Sequence, residues 1–372
     1  MIDTDRGHGV TRLTSMYAEV TEIVKWTADN QVYYVSTLPA NPGARHLFKL
    51  QIGAPFEVCR TCNIHQQMVP RLQRRGRCEY VDISMSEGGS FYMMSCKGPN
   101  IPYSTLVHTR SNNILYNWHQ NIDLEQSVAN IDLPIVEFLQ IGVYGSDQKA
   151  QIKLHIPAEL KRNIWRKKYP MLVEVYGGPG SQKVTRRWEM YDFCPYLSSA
   201  FGIVCAYIDG RGSGFQGHRW RHAVYRNFGS VEVLDTITVT KHLQDNLRFI
   251  DASRTGIWGW SYGGFLTLSI LTQDTEGVFK CGASVAPVVK WELYDTIYTE
   301  RYMSTPMDNP RGYNMSTPLW RLDNLRSKMF YLIHGTHDDN VHYQQSMLLS
   351  AALAEKDILF RQQAYPDQAS YV

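Results

Sequence analysis

The chain has 372 residues, 44% of them hydrophobic, enough for a large buried core and about two domains. A formal charge of +3 at pH 7 excludes a broad nucleic-acid surface, and the basic runs Arg71–Arg77 and Lys161–Lys168 sit beside turns and read as solvated loops. No apolar run is long enough to span a bilayer and the first residues lack a leader-type apolar core, so neither a transmembrane segment nor a signal is expected within these residues.

Up to about residue 132 the pattern is one of strands: Val20 to Lys25, Val32 to Thr37, His46 to Ile52, Glu79 to Ser84, Ser90 to Cys96 and Tyr103 to Thr109. Turns such as Asp29-Asn30 and Glu87-Gly88-Gly89 punctuate them. The aromatic strand around Tyr33 recurs at Phe91, an offset of roughly 58 residues that suits successive propeller blades. A β-sandwich accommodates the same periodicity, and both readings stand at this level.

Cysteine placement constrains this region further. Cys59 and Cys62 form C-x-x-C, followed by Cys78 and Cys96. Zinc would suit four cysteines, but the gap between the last two is not a second paired knuckle. Strand-like surroundings favour two disulfides, Cys59–Cys62 and Cys78–Cys96, and with them an oxidising compartment. No metal and no cofactor are expected. Asn314-Met315-Ser316 is a glycosylation sequon pointing to the same compartment. Cys194 and Cys205 lie in apolar surroundings and read as buried thiols, whereas Cys281 has no evident partner.

From Leu133 onward strands and helices alternate. Strands are expected at Gln151 to Ile156, Met171 to Tyr176, Gly202 to Ile208, Gly256 to Trp258, Cys281 to Val285 and Met329 to His334. Helices are expected at Val231 to Gln244 and Gln344 to Glu355. This alternation predicts an α/β domain over residues 133–372, with a mostly parallel sheet covered on both faces. Asp209-Gly210-Arg211-Gly212-Ser213-Gly214 follows a strand, but it has neither the Walker lysine nor the dinucleotide spacing and reads as a structural turn.

Within that domain, Gly259-Trp260-Ser261-Tyr262-Gly263 lies between a short apolar strand and an apolar helix, the setting in which G-x-S-x-G becomes a nucleophile elbow. Ser261 is the expected nucleophile. Asp338 follows the buried strand Phe330–His334 and stands at its carboxyl end, where the active sites of open α/β sheets gather. The backbone N–H of Tyr262 and the hydroxyl of Tyr176, or an amide beside it, are the expected oxyanion donors. A general base is missing: after His342 the chain contains no histidine, and His334, His337 and His342 flank the acid too closely for the usual serine, acid, histidine order.

Four segments carry a resemblance. Gly259–Gly264, Asp209–Gly214, Tyr298-Thr299-Glu300-Arg301-Tyr302-Met303, and His334-Gly335-Thr336 with Asp338-Asp339-Asn340-Val341 resemble the dipeptidyl peptidase IV branch of the prolyl oligopeptidase family. The resemblance implies the last blades of a β-propeller over residues 1–132 and an α/β-hydrolase domain over 133–372. It implies cleavage of X-Pro or X-Ala dipeptides from peptide N-termini through an acyl-enzyme. Ser261, Asp338 and Tyr176 match the family's nucleophile, acid and oxyanion tyrosine. A proline pocket maps onto Tyr262, Val288, Trp291, Tyr294, Tyr298 and Val341, with Asn340 on the substrate backbone. Apolar and aromatic walls would accept a pyrrolidine ring and give a charged side chain no partner.

The departures are equally specific. The family's histidine follows a Tyr-x-Asp segment, and here Tyr365-Pro366-Asp367-Gln368-Ala369 leads to Ser370. The helix closing the hydrolase domain, and with it the partner of Cys281, is implied to be absent, as are the N-terminal blades bearing the glutamates that hold a substrate amine. Two functions compete: a serine exopeptidase seen as an incomplete chain, and a non-enzymatic cell-surface or channel-accessory protein of the same fold. The resemblance places the protein outside the cell, secreted or as an ectodomain, and members often dimerise through the hydrolase domain.

Overall fold

The computed structural model describes residues 12–14, 18–54, 56–161 and 167–369, so the position expected for the base, Ser370, lies outside the described residues. The chain divides into two compact units. The first holds residues up to Ile131 together with Thr185–Glu189 and Phe215–Gly217; the second holds the rest.

In the first unit, β1 (Val20–Trp26), β2 (Gln31–Leu38), β3 (Asn41–Gln51) and β4 (Glu57–Cys59) form an antiparallel meander. After the short helix α1 (Pro70–Arg74), a second meander follows: β5 (Tyr80–Met85), β6 (Phe91–Gly98), β7 (Tyr103–His108) and β8 (Ile114–His119). The helix α2 (Ile122–Val128) closes the unit. Four strands in up-and-down order, repeated once, is the connectivity of propeller blades and not of a Greek-key sandwich. Alternation drives the packing. Tyr92, Met94 and Cys96 point from one face of β6 into a core shared with Tyr33, Val35, Leu47, Val81 and Val107. Both expected disulfides are present, Cys59–Cys62 and Cys78–Cys96.

The basic run at 71–77 departs from expectation. Its first part, up to Arg74, is helical, and two of its arginines have a shared partner: Arg71 and Arg75 pair with Glu125 of α2 at 2.6 and 2.8 Å, and the Arg75 side chain is only 6% exposed, while Arg74 and Arg77 are exposed as expected.

The second unit is built on an eight-stranded sheet: β9 (Ile135–Gly142), β10 (Lys149–Ile156), β11 (Tyr169–Val175), β12 (Val204–Asp209), β13 (Ile250–Trp260), β14 (Cys281–Val285), β15 (Met329–Gly335) and β16 (Arg361–Tyr365). Its spatial order is β9-β10-β12-β11-β13-β14-β15-β16, antiparallel across β9, β10 and β12 and parallel from there on. The helices are α3 (Phe193–Phe201), α4 (His218–Arg221), α5 (Val231–Asn246), α6 (Tyr262–Gln273), α7 (Thr296–Met303), α8 (Pro310–Ser316) and α9 (Gln344–Glu355). Every residue of α6 from Tyr262 to Thr272 is buried, which is why that helix is apolar all round.

The Asp209–Gly214 turn is filled by its own domain. The buried Asp209 carboxylate accepts from the amides of Lys183 and Val184, and Arg211 pairs with Asp235 at 2.5 Å. Asn314 of the sequon is exposed on α8, while the Ser316 hydroxyl is buried and donates to the Tyr313 carbonyl.

A second expectation fails. The parallel sheet is not covered on both faces among the described residues. Along β15, Phe330, Leu332 and His334 are buried, but Met329 is 73% and Tyr331 36% exposed. On that face a groove of about 1370 Å³ is lined by Trp258, Trp260, Cys281, Met329, Tyr331 and Leu359. The apolar residues on both sides of these strands gave the sequence its doubly covered look.

Candidate active site

The expected site residues of the second unit stand after the carboxyl ends of neighbouring parallel strands. Tyr176 follows β11, Ser261 follows β13, the stretch from Val288 to Tyr298 follows β14, and Asp338 follows β15. Parallel register carries the alignment: Trp260 lies opposite Val285, and Val285 opposite Ile333.

Ser261 joins β13 to α6 with φ 58° and ψ −117°, a conformation that costs a non-glycine residue on the order of 1–3 kcal/mol. Surrounding glycines over-determine it. A Cβ on Gly259 would lie 2.4 Å from the Gly263 carbonyl oxygen and 2.5 Å from that of Val175; one on Gly263 would lie 2.3 Å from the latter. A backbone bond from Ser261 N to the Val285 carbonyl (2.9 Å) pins the turn to β14. The residue is half-buried, and among the described residues its Oγ makes no hydrogen bond. Tyr262 is the first residue of α6, so its N–H has no carbonyl a turn earlier and is available to an oxyanion.

Asp338 is 5% exposed. Its Oδ1 accepts from the amides of Asn340 (3.0 Å) and Val341 (2.9 Å), which shapes the loop, and Oδ2 stands 3.3 Å from Nε2 of His334. The histidine is fully engaged. Nδ1 contacts the Ser346 hydroxyl at 2.6 Å and Nε2 the Val341 carbonyl at 2.7 Å. These contacts assign the proton to Nε2, and burial lowers the pKa, opposed by Val341 and Asp338. His334 therefore braces the acid loop and has no nitrogen to offer Ser261. His337 and His342 are exposed, and their side chains make no hydrogen bonds among the described residues.

The segment after β16 folds back onto this loop. His337 N donates to the Gln368 carbonyl (3.0 Å), and a Cβ on Gly335 would sit 2.3 Å from that oxygen and 2.9 Å from the Ala369 oxygen. The chain thus leads up to position 370 alongside the turn that holds Asp338.

Beside the elbow lies an aromatic cluster. Trp291 has ring centroids of Tyr262 at 5.5 Å, Tyr294 at 5.9 Å and Tyr298 at 6.3 Å, the last nearly parallel. Val288, Trp291 and Val341 are each 1% exposed and Tyr262 is 2% exposed, so these form the cluster's floor; Tyr294 and Tyr298 are half-buried and line its solvent side. The Tyr294 hydroxyl donates to Oδ1 of the exposed Asn340 at 3.0 Å, tying the cluster to the acid loop. Tyr176 tilts towards Tyr262 at 6.3 Å, over a turn where a Cβ on Gly178 would come within 2.8 Å of its ring. Burial raises the Tyr176 pKa, partly offset by Lys183, so its hydroxyl stays a donor.

Sequence reasoning missed three members. Phe228 packs 4.7 Å from Trp291 and 5.3 Å from Tyr262, and Phe265 lies 5.1 Å from Trp291. Glu232, buried beneath them, accepts from the Tyr262 hydroxyl. Phe265 sits in the quoted elbow helix, but Phe228 and Glu232 lie in a stretch whose Gly-Ser-Val-Glu pattern signals only a helix start.

Sequence and fold both match those of known proteins. Residues 188–369 match the prolyl oligopeptidase family model, and residues 1–103 match that of the dipeptidyl peptidase IV N-terminal region. A venom dipeptidyl peptidase 4 of Vespa velutina is 40% identical over 342 residues, 91% of this chain and 42% of the relative. Dipeptidyl peptidase 4 of Bos taurus is 38% identical, covering 96% of this chain and 45% of its own length. The human prolyl endopeptidase FAP is 38% identical over 98% of this chain and 46% of itself. A crystal structure of dipeptidyl peptidase 4 from Porphyromonas gingivalis superposes with a TM-score of 0.85 at 29% identity, over 98% of this chain and 49% of that one. The chain spans somewhat less than half the length of these relatives. It belongs to the dipeptidyl peptidase IV branch of the prolyl oligopeptidase family, with a propeller-type N-terminal region and an α/β-hydrolase domain.

Proposed function

We propose that this protein is a serine peptidase of the dipeptidyl-aminopeptidase type, cleaving after proline or alanine in the second position of a peptide, and that residues 1–372 carry its nucleophile, acid, oxyanion donors and specificity slot but not its base. The observation that carries the reading is the strained Ser261, wedged between Gly259 and Gly263 with its hydroxyl free at the head of α6. Strain held in place by two otherwise forbidden Cβ positions is what a nucleophile requires and a plain turn does not.

In the proposed reaction Ser261 Oγ attacks the scissile carbonyl while a base takes its proton. The oxyanion accepts from Tyr262 N–H and the Tyr176 hydroxyl. The base then protonates the leaving amine, and water repeats the sequence on the acyl-enzyme. Asp338 orients the base. Tyr262, Val288, Trp291, Tyr294, Tyr298 and Val341 take the proline ring, and Asn340 meets the peptide backbone. Two disulfides support an extracellular setting. No helix of the described residues is long and apolar enough to cross a membrane. A homodimer through the hydrolase domain is part of the proposal.

The absence of histidine after His342 favours the second reading, a non-enzymatic cell-surface or channel-accessory protein of the same fold, for the polypeptide as written. Assaying residues 1–372 on a Gly-Pro chromogenic amide separates the two. Loss of a triad base costs on the order of 10⁶ in kcat, so near-background release, equal in Ser261→Ala, is expected. Robust hydrolysis that Ser261→Ala abolishes would mean that another group serves as base.

A further inference from the structure

We propose that His46, Cys59 and Cys62 form a redox-gated zinc site in the first unit, closed while the Cys59–Cys62 disulfide is intact and assembled when it is reduced. The proposal is independent of the peptidase reading. A ring nitrogen of His46 and the two sulfurs lie within 4.8 Å of one another. Tetrahedral zinc with Zn–S of about 2.3 Å and Zn–N of about 2.0 Å places its ligand atoms about 3.5–3.8 Å apart, so rotation of the three side chains closes the difference.

The arrangement is held by bonds that do not involve the disulfide. β4 pairs with β3, setting Cys59 opposite Phe48, two residues from His46 on the same face. Arg60 N donates to the Leu47 carbonyl at 2.7 Å, and Asn112 Nδ2 donates to the Arg60 carbonyl at 2.8 Å. Thr61, inside the C-x-x-C turn, accepts from Leu47 N at 3.0 Å and contacts Nδ1 of His46 at 3.0 Å. Nδ1 of His46 is taken up by the Thr61 hydroxyl, and among the described residues Nε2 has no hydrogen-bond partner, which leaves Nε2 as the nitrogen open to a metal. Metal-binding histidines are oriented in this way by their second nitrogen. Cys62 N also donates to Cys59 Sγ at 3.1 Å, a contact that favours a thiolate there.

Two thiolates and a neutral imidazole balance the charge of Zn²⁺ and leave a fourth position for water, which reaches the site because Cys59 and Cys62 are only half-buried. The other bridge cannot compete: Cys78 and Cys96 are each 3% exposed. Opening the site consumes two electrons. A water-soluble phosphine attacks one sulfur, water hydrolyses the adduct, and phosphine oxide and two thiols result; zinc then displaces the two thiol protons into buffer.

The test uses the folded chain, oxidised or treated with phosphine, with alkylation and mass mapping to establish that only Cys59 and Cys62 have opened. Co²⁺ serves as the probe and Zn²⁺ as its competitor. The reduced protein should take up one equivalent of Co²⁺ with a thiolate-to-metal charge-transfer band and tetrahedral visible bands that Zn²⁺ removes; the oxidised protein should take up none. His46→Asn should weaken binding at least tenfold, and Thr61→Val, which keeps all three ligands, roughly tenfold. No uptake by the reduced chain, or equal affinity in His46→Asn, overturns the proposal. If His46→Asn fails to fold, Thr61→Val decides: weakened binding supports the site and unchanged binding overturns it.

Discussion

The hydroxyl of Tyr262, the residue directly after the serine, donates at 3.2 Å to the buried carboxylate of Glu232. The same carboxylate accepts from the amides of Gly229 (2.7 Å) and Ser230 (3.1 Å), so three donors converge on one acid at the start of α5. Burial raises its pKa from the usual 4.5 to about 7, with those donors pulling the other way. Arg211 faces it from the turn after β12 and is itself paired with Asp235.

That relationship has a pH signature. Between pH 4.5 and 7 the folded protein retains a proton on Glu232 that the unfolded chain has released, so this group's contribution to stability falls as pH rises through that window. His155, pushed down to about 3 by burial, acts in the opposite sense, so the comparison is made against Glu232→Gln. Denaturant titrations from pH 4 to 8 should show wild type losing on the order of 3 kcal/mol relative to the variant, at about 1.4 kcal/mol per pH unit of pKa change. A difference that does not vary with pH would mean that Glu232 does not titrate there.

The slot should bind proline without turning it over. A pyrrolidine ring buries roughly 100 Å² against aromatic faces, about 2–3 kcal/mol before association costs. NMR or calorimetric titration of a Gly-Pro peptide should therefore detect weak binding that a Gly-Glu peptide lacks, and Tyr298→Ala should abolish the preference. Equal affinity for both peptides in folded protein would mean that these residues do not form the specificity site.

Cysteine reactivity should sort by burial. Cys281, half-exposed in the open groove, should alkylate in the native, unreduced protein, whereas Cys194 and Cys205 should not until it unfolds. Under graded reductant Cys59–Cys62 should open before Cys78–Cys96, whose cysteines are buried. Peptide mapping by mass spectrometry reads both orders, and early loss of the buried bridge would contradict the packing described for β6.

Much of this architecture was legible in the residues, and the failures share a cause. Strands with one buried face announced themselves by alternation. β8 did not, because Leu115, Tyr116 and Trp118 are exposed on it, and β16 reads Arg-Gln-Gln-Ala-Tyr at a sheet edge with little to bury. β13 was anticipated only at Gly256–Trp258, since its first half, Asp251 to Arg254, is polar and largely exposed. The elbow was legible because glycine spacing encodes close backbone approach. Glu232 and His46 were not, because their roles depend on partners that only the fold brings near.

If Ser261 stands in a formed site that lacks a base, a base added to the solvent should restore part of the reaction. Release from a Gly-Pro chromogenic amide should be measured with and without millimolar imidazole, in wild type and Ser261→Ala. Background rates are expected for both proteins without imidazole, and an imidazole-dependent rise of roughly tenfold or more in wild type alone, far short of the 10⁶ a positioned base supplies. An imidazole effect of the same size in Ser261→Ala, or none in either protein when the Gly-Pro peptide binds, would contradict it.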